Sequence, residues 1–253
     1  MTKNNNLLVD LGNSAAKWVQ HEKGCASGQS TMLKQYYPKN ISAAFFIDCW
    51  RSINKPERII VSCVADDQIW QSLQEACEEL WSLTAEKVST VKKGFGLSNG
   101  YNEPTELGVD RWCGMIGASQ ETESDFIVAD CGSAITVDVV TSSGQHLGGY
   151  ILPGIAMMKK SLATDTADVH LKTEPTKVSL TPGNSMVGCV ESGVHLAAVK
   201  LIESVYENQL QRNENVQCFI TGGDAAVLSE LLSVKCAMIP DLVIRGLAVI
   251  AKD

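Results

Sequence analysis

The chain has 253 residues, 45% of them hydrophobic and 20% charged, with a mean hydropathy of +0.01; that is ample apolar material for a core and excludes wholesale disorder. Against 21 Lys and Arg stand 29 Asp and Glu, a net charge of −8, which argues against general binding of a nucleic-acid backbone. No apolar run approaches the ~20 residues of a membrane-spanning helix, and the run Leu7 to Val9 is too short for a signal-peptide core, so a cytoplasmic protein is expected.

Acidity does not exclude a small anionic ligand, because a few backbone N–H groups and one metal ion can bind phosphate locally. The nine cysteines include no C-x-x-C pair, so neither a zinc ribbon nor a thioredoxin-like site is readable. Several lie in apolar runs, where a reduced cysteine behaves as a small hydrophobe; all nine are expected to be reduced.

In chain order, Leu7 to Val9 reads as a short strand ending in Asp10-Leu11-Gly12-Asn13. Arg58 to Val64 reads as a buried strand. Asp67 to Trp81 carries apolar residues at Ile69, Trp70, Leu73, Cys77 and Leu80, which is helical spacing. Lys92 to Leu107, rich in Gly, Asn and Pro, reads as an ordered loop, and Asp110 stands where an N-cap would for a helix from Arg111 to about Ser119. Two strands, Phe126 to Ala129 and Ile135 to Val140, flank a turn at Asp130 to Ser133; Gly148 to Gly154 is a third, closed by Pro-Gly. A helix over Ala156 to Ala163, a loop over Val169 to Pro182 and a long helix over Ser185 to Leu210 follow. Cys218 to Ile220 then leads into Thr221-Gly222-Gly223-Asp224 and another helix.

The pattern restarts midway. Leu8-Val9-Asp10-Leu11-Gly12-Asn13-Ser14-Ala15 aligns with Val128-Ala129-Asp130-Cys131-Gly132-Ser133-Ala134-Ile135, an apolar strand followed by Asp-x-Gly and a small polar residue. Such self-similarity predicts a duplicated α/β domain with a cleft between halves.

Chemistry concentrates at these turns. In Asp10 to Ser14 the glycine permits close backbone approach, successive N–H groups form a concave anion site, and the strand-end carboxylate can hold Mg²⁺. Lys17 could reach a phosphate oxygen. A plain β-hairpin would use the same residue types, and only the second copy at Asp130 weighs against it. Gly108-Val109-Asp110-Arg111-Trp112 offers a carboxylate base beside a cation for an acidic substrate, or an N-cap with an exposed Arg. Gly148 to Gly154 and Thr221 to Asp224 read as a sheet-edge turn and as a connection able to lie under a purine. There is no Walker or Rossmann glycine pattern, and no Ser/His/Asp triad can be assembled. The five tryptophans read as core, His195 as a structural histidine, and His21, His146 and His170 as lying in polar surroundings.

Taken together, these motifs resemble the type III pantothenate kinases, of the actin, hexokinase and acetate kinase superfamily. Asp10-Leu11-Gly12-Asn13-Ser14 is similar to the family's D-x-G-N-T, Tyr101 to Trp112 to its Y-x-x-P-x-x-L-G-x-D-R-W, and Asp130 to Asp138 to its D-x-G-T-A-x-T-x-D. Gly148 to Gly154 resembles G-G-x-I-x-P-G, and Thr221 to Asp224 resembles T-G-G-D. Ser14, Ser133 and Ser185 stand where Thr is usual; they keep the hydroxyl and lose the methyl.

The resemblance implies an α/β fold of duplicated actin-like ATPase (ribonuclease-H-like) domains, divided at residues 1–118 and 119–253, with a central cleft. It implies ATP-dependent phosphorylation of pantothenate, the first step of coenzyme A synthesis. Asp110 would be the catalytic base. Tyr101, Gly108, Val109, Arg111 and Ser185 would hold pantothenate. Asp10, Leu11, Gly12, Asn13, Ser14, Ala15, Ala16, Lys17 and Ser133 would bind ATP with Mg²⁺, and Asp130 a monovalent cation, K⁺ or NH₄⁺. The family's members are homodimers. Two rivals share the fold: a non-catalytic transcriptional accessory protein, against which the presence of Asp10, Asp110 and Asp130 speaks, and another small-molecule kinase, against which the Tyr101 to Trp112 segment speaks.

Overall fold

The computed structural model of the protein describes residues 5–22, 31–165 and 178–252. Two compact units make up the chain: Met1–Glu121 with Asp241–Asp253, and Thr122–Pro240. The elements of the first stretch are β1 (Asn5–Leu11), β2 (Ala15–Glu22), β3 (Leu33–Tyr36), α1 (Ala43–Trp50), β4 (Arg58–Cys63), α2 (Asp67–Trp81), β5 (Glu86–Lys87), the small ribbon β6 (Lys93–Gly94) and β7 (Leu97–Ser98), and α3 (Val109–Ser119). Then come β8 (Asp125–Cys131), β9 (Ala134–Val140), β10 (His146–Pro153), α4 (Ile155–Asp165), α5 (Met186–Leu210), β11 (Val216–Thr221), α6 (Ala225–Leu231), β12 (Ala237–Met238) and α7 (Leu242–Ile250).

In the first unit five strands form one sheet in the order β3-β2-β1-β4-β5. β1 runs antiparallel to β2 and parallel to β4, so it is covered on both edges and both faces, and its apolar run is continuous rather than alternating. Alternation of side chains along the strand sends Leu7, Val9 and Leu11 into a core with Phe46, Trp50, Leu73 and Trp81 of α1 and α2. It sends Leu8 to the other face, into a core with Ile60, Cys113 of α3, and Val243 and Leu247 of α7. Asp10 follows Leu8 on that second face, the face covered by α3. α2 starts where Asp66 Oδ1 accepts the Ile69 N–H at 2.9 Å and stops at Ser82 in the left-handed region, φ 51°.

The second unit repeats this plan: its sheet order is β10-β9-β8-β11-β12, with β8 antiparallel to β9 and parallel to β11. β8 thus holds the place of β1, as the repeated Asp-x-Gly pattern leads one to expect. The hairpin loops differ by one residue. Leu11 pairs with Ala16 across four loop residues, and Cys131 pairs with Ile135 across three. The long helix α5 buries Val194, Ala198, Val199, Ile202 and Val205 against Ile127, Ala129, Val137 and Ile220.

Several expectations need correction. The division at 118/119 assigns the C-terminus to the second half, whereas α7 packs in the first unit, closing the core around Leu8 and Ile60. Asp110 is not an N-cap: α3 begins at Val109 with Gly108 before it, so Asp110 lies in the first turn. Cys218 and Cys236 are not both reduced thiols; they form a disulfide. The parallel register sets Phe219 opposite Ala237, so the preceding residues are cross-strand neighbours with Cα atoms 4.6 Å apart. Cys49, Cys63, Cys77, Cys113, Cys131 and Cys189 are free, and Cys25 lies outside the described residues. His146 is fully buried, its Nε2 2.9 Å from Asp138 Oδ1, and His21 is also buried. His170 and most of the loop expected over Val169 to Pro182 lie outside the described residues. Four tryptophans are core; Trp70 is half-buried with the Lys87 ammonium 5.2 Å from its ring centroid.

Candidate active site

The residues singled out in the first unit converge on the C-terminal end of β1. Asp10 is 4% exposed, and its Oδ2 accepts from Lys17 Nζ at 3.1 Å, an ion pair the β1–β2 register makes by placing the two residues opposite each other. Its Oδ1 is buried and accepts no hydrogen bond among the described residues. Beyond Leu11 the chain turns with Gly12 N–H donating to the Ala15 carbonyl at 3.1 Å, and Tyr37 N–H ties the turn down through the Ser14 carbonyl at 3.2 Å. Leu11, Ala15 and Ala16 are buried, Leu11 and Ala16 completely, whereas Asn13 and Ser14 are exposed.

Asp110 reaches the same face from α3. Its Oδ1 accepts the Arg111 N–H at 2.8 Å, and a Cβ at Gly108 would sit 2.7 Å from that oxygen, which is why a glycine precedes the helix here. Burial raises the Asp110 carboxyl above its ordinary value, the charge of Asp10 raises it further, and the Arg111 N–H and guanidinium pull the other way. Cys113, one turn along α3, is fully buried; its thiol is pushed well up by burial and by the same two carboxylates, so it is packing and not a nucleophile. A carboxylate whose proton affinity is raised by burial and by a second carboxylate, as at Asp110, is an arrangement that recurs at catalytic sites.

Beside them, Arg111 is 8% exposed, donates from Nη1 to the Tyr101 hydroxyl at 2.8 Å, and stacks its guanidinium 5.6 Å from the Tyr101 ring centroid. Tyr37 went unremarked in the sequence, for want of any motif around it. Its ring packs edge-on against Phe45, its buried hydroxyl has no partner among the described residues, and burial and then Asp10 hold its phenol above the ordinary value.

Asp130, Ser133 and Ser185 belong to the second unit. Gly132 N–H donates to the Ala134 carbonyl at 3.0 Å, as Gly12 does in the first turn. Gly222, φ +99°, lets the Thr221 to Asp224 turn lie on this hairpin: a Cβ there would be 2.3 Å from the Cys131 carbonyl and 2.6 Å from Asp130 Oδ1. Burial first, then the charges of Asp130 and Asp224, raise the Cys131 thiol. Ser185, expected to touch substrate, uses its hydroxyl oxygen to cap α5, accepting the Gly188 N–H at 3.1 Å.

Fold and site together define a class: duplicated α/β units with paired Asp-x-Gly hairpins, the architecture of actin-like ATPases and kinases. Among solved structures the chain is similar to a Baf family transcriptional activator from Campylobacter jejuni, at 23% identity and a TM-score of 0.58, covering 97% of this chain and 98% of that one. It is also similar to the activator of 2-hydroxyisocaproyl-CoA dehydratase from Clostridium difficile with bound ADPNP, at 13% identity and a TM-score of 0.52, covering 98% and 94%. At those identities the likeness is one of fold.

Sequence comparison is narrower. The type III pantothenate kinase family profile matches residues 6–208. The type III pantothenate kinase of Nitrosococcus oceani is 34% identical over 98% of this chain and 94% of its own. The chain belongs to the type III pantothenate kinase family.

Proposed function

We propose that Asp110 is the base, and the Asp10 turn the nucleotide-side anchor, of a phosphoryl transfer from ATP to the hydroxyl of pantothenate. This is the reaction of the family, at the entry to coenzyme A synthesis, and the chain is a kinase of that kind. The observation that carries the assignment is the approach of two carboxylates from different elements, Asp10 on β1 and Asp110 on α3, beside the Arg111–Tyr101 pair.

Asp110 takes the hydroxyl proton as the oxygen attacks. In a loose transition state positioning outweighs base strength, yet a carboxylate raised above its ordinary value holds that proton better than an exposed one. Arg111, with Tyr101 fixing its guanidinium, faces the pantothenate carboxylate, and Gly108 and Val109 offer backbone beside it. Asn13, Ser14 and the backbone of the turn between Leu11 and Ala16 meet the phosphates, and Lys17 holds Asp10 and adds positive charge. On the family motif we assign Ser133 to ATP and Ser185, the cap of α5, to pantothenate.

The unpartnered buried Asp10 Oδ1 fits a hard divalent cation. Among the described residues no three His, Cys, Asp or Glu side chains gather as a metal cluster, so Mg²⁺ here would lean on nucleotide oxygens as well as on Asp10. When bound, Mg²⁺ neutralises charge developing on the phosphates. Asp130, an all-oxygen donor beside the Gly222 backbone, suits K⁺ or NH₄⁺. A homodimer and a cytoplasmic location follow from the same reading. No helix among the described residues is long and apolar enough to cross a membrane, and α4 and α5 leave Leu162 and Met186 exposed along an open apolar groove of about 450 Å³ that Met158 and Val190 also line.

The test is ADP release. Wild-type protein with ATP, Mg²⁺ and K⁺ releases ADP only when pantothenate is added, and Asp110→Asn loses roughly 10²–10⁴-fold in kcat while remaining folded. Undiminished turnover in that variant removes Asp110 from the role of base. A wild type that releases no ADP with pantothenate points to a regulatory protein on the kinase fold.

A further inference from the structure

We infer that Asn99 is a positioning residue for the acidic substrate: its side chain clamps the 99–104 loop so that the Tyr101 hydroxyl meets Arg111. The inference rests on the pantothenate kinase reading and names a residue outside the Tyr101 to Trp112 motif.

Asn99 follows β7 and is 1% exposed, a burial that a primary amide tolerates only when its polar atoms are matched. They are matched, and entirely by backbone. Oδ1 accepts the Tyr101 N–H at 2.9 Å, an Asx turn two residues long. Nδ2 donates to the Pro104 carbonyl at 3.1 Å. One side chain therefore ties Tyr101 to Pro104 across a stretch whose middle, Asn102 and Glu103, is exposed.

The anchor is itself anchored. Asn99 N–H donates to the Lys92 carbonyl at 2.9 Å, continuing the β6–β7 ribbon by one rung, and Lys92 Nζ returns to the Tyr101 carbonyl at 2.8 Å. Thr90 Oγ1 donates to the same Pro104 carbonyl at 2.8 Å. Tyr101 is thus held at its N–H by Asn99 and at its carbonyl by Lys92, which fixes the backbone from which its phenol extends, and its hydroxyl accepts from Arg111 Nη1.

A guanidinium reads a carboxylate well only when its plane is fixed, because two parallel hydrogen bonds require one orientation. Arg111 has many rotamers of its own; the Tyr101 hydroxyl and ring select among them, and Asn99 holds Tyr101. The chain of cause runs from a buried amide through a loop to a charged contact with substrate. Asn99 touches no reacting atom in this scheme, and its loss should weaken substrate binding more than it slows chemistry.

The experiment compares wild type, Asn99→Ala, Tyr101→Phe and the double variant. Calorimetry gives the pantothenate dissociation constant, steady-state kinetics gives kcat and the KM for ATP, and hydrogen exchange follows the Tyr101 amide. Asn99→Ala should weaken pantothenate by about tenfold, the lower end for residues that orient a contacting group, with kcat and the ATP KM within about twofold. In the Tyr101→Phe background the same substitution should add less than about threefold, since the two act through one path. Exchange at the Tyr101 amide should quicken. Unchanged pantothenate affinity in an active Asn99→Ala enzyme overturns the inference alone, as does a full tenfold loss that persists in the Tyr101→Phe background, or a parallel rise in the ATP KM. A wild type with no pantothenate-dependent ADP release overturns the underlying functional reading instead. Should Asn99→Ala fail to fold, Thr90→Val removes the second donor to the Pro104 carbonyl and should weaken pantothenate in the same direction, by about threefold; no change there rejects the clamp.

Discussion

At the scale of single residues, Asp110 carries a conflict between function and stability. Its carboxyl is raised above the ordinary 3.8, by burial first and by Asp10 second. Between 3.8 and the raised value the folded protein holds a proton that the unfolded chain has released, so stability falls as pH rises through that window and stays lowered at neutral pH. Asp110→Asn should therefore melt at a higher temperature than wild type at pH 7, with the difference closing below pH 4; a melting curve lower at every pH would contradict this sign. The same shift sets activity, for a base that is protonated accepts nothing. The acid limb of kcat/KM should have its midpoint above 3.8, and a limb at or below that value would remove Asp110 from the titration. Asp10, Asp110 and Arg111 could be read from sequence because Asp-x-Gly and Gly-Val-Asp-Arg-Trp are local patterns. Asn99 and Tyr37 could not, since what makes them matter is a loop closing on itself and a ring folded back beside Ser14.

At the scale of elements, the site depends on how closely two helices approach. α3, which carries Asp110 and Arg111, packs backbone to backbone on α7 through two glycines. A Cβ on Gly246 would lie 1.9 Å from the Cys113 carbonyl oxygen, and one on Gly117 would lie 2.3 Å from that of Leu242. Neither can be accommodated by rotating a side chain, because the obstacle is backbone. Gly246→Ala should cost about 1–3 kcal/mol of stability, as overpacked cores do, and should reduce turnover by displacing α3, although residue 246 touches no substrate. Chemical denaturation alongside the ADP assay checks both; a variant as stable as wild type would mean the helices part without penalty. α2 was legible because Ile69, Leu73 and Cys77 repeat at helical spacing over a polar background. α7 was not, because Leu242 to Ile250 is nine residues long and apolar apart from Arg245 and Gly246, a run that reads as a buried strand as readily as a buried helix. α1 and β3 are short, and short elements take their form from tertiary neighbours more than from local preference.

At the scale of the whole molecule, duplication was legible from one aligned pair of turns, and the identical strand orders of the two sheets bear it out. Where the chain ends up was not, since no local pattern marks the last helix as belonging with the first strand. Nor was the Cys218–Cys236 pairing, which depends on the register of β11 against a strand of two residues. The proposed homodimer belongs to this scale as well. Mass photometry should find a species of twice 27.3 kDa, and Leu162→Asp with Met186→Asp, placing charge in the apolar groove between α4 and α5, should shift it to the monomer. A monomer in the wild type at micromolar concentration would reject the dimer.

The return of α7 to the first unit has a consequence for synthesis. A ribosome finishes the second unit, which ends at Pro240, while the first still lacks Leu242, Val243, Leu247 and Ala248 from its core. The first unit, begun before the second, is completed after it, and α3 gains its partner helix only when Leu242 to Ile250 emerges. Nascent chains stopped after Pro240 thus carry a finished second unit and an open first one, without the helix that packs on α3 behind Asp110.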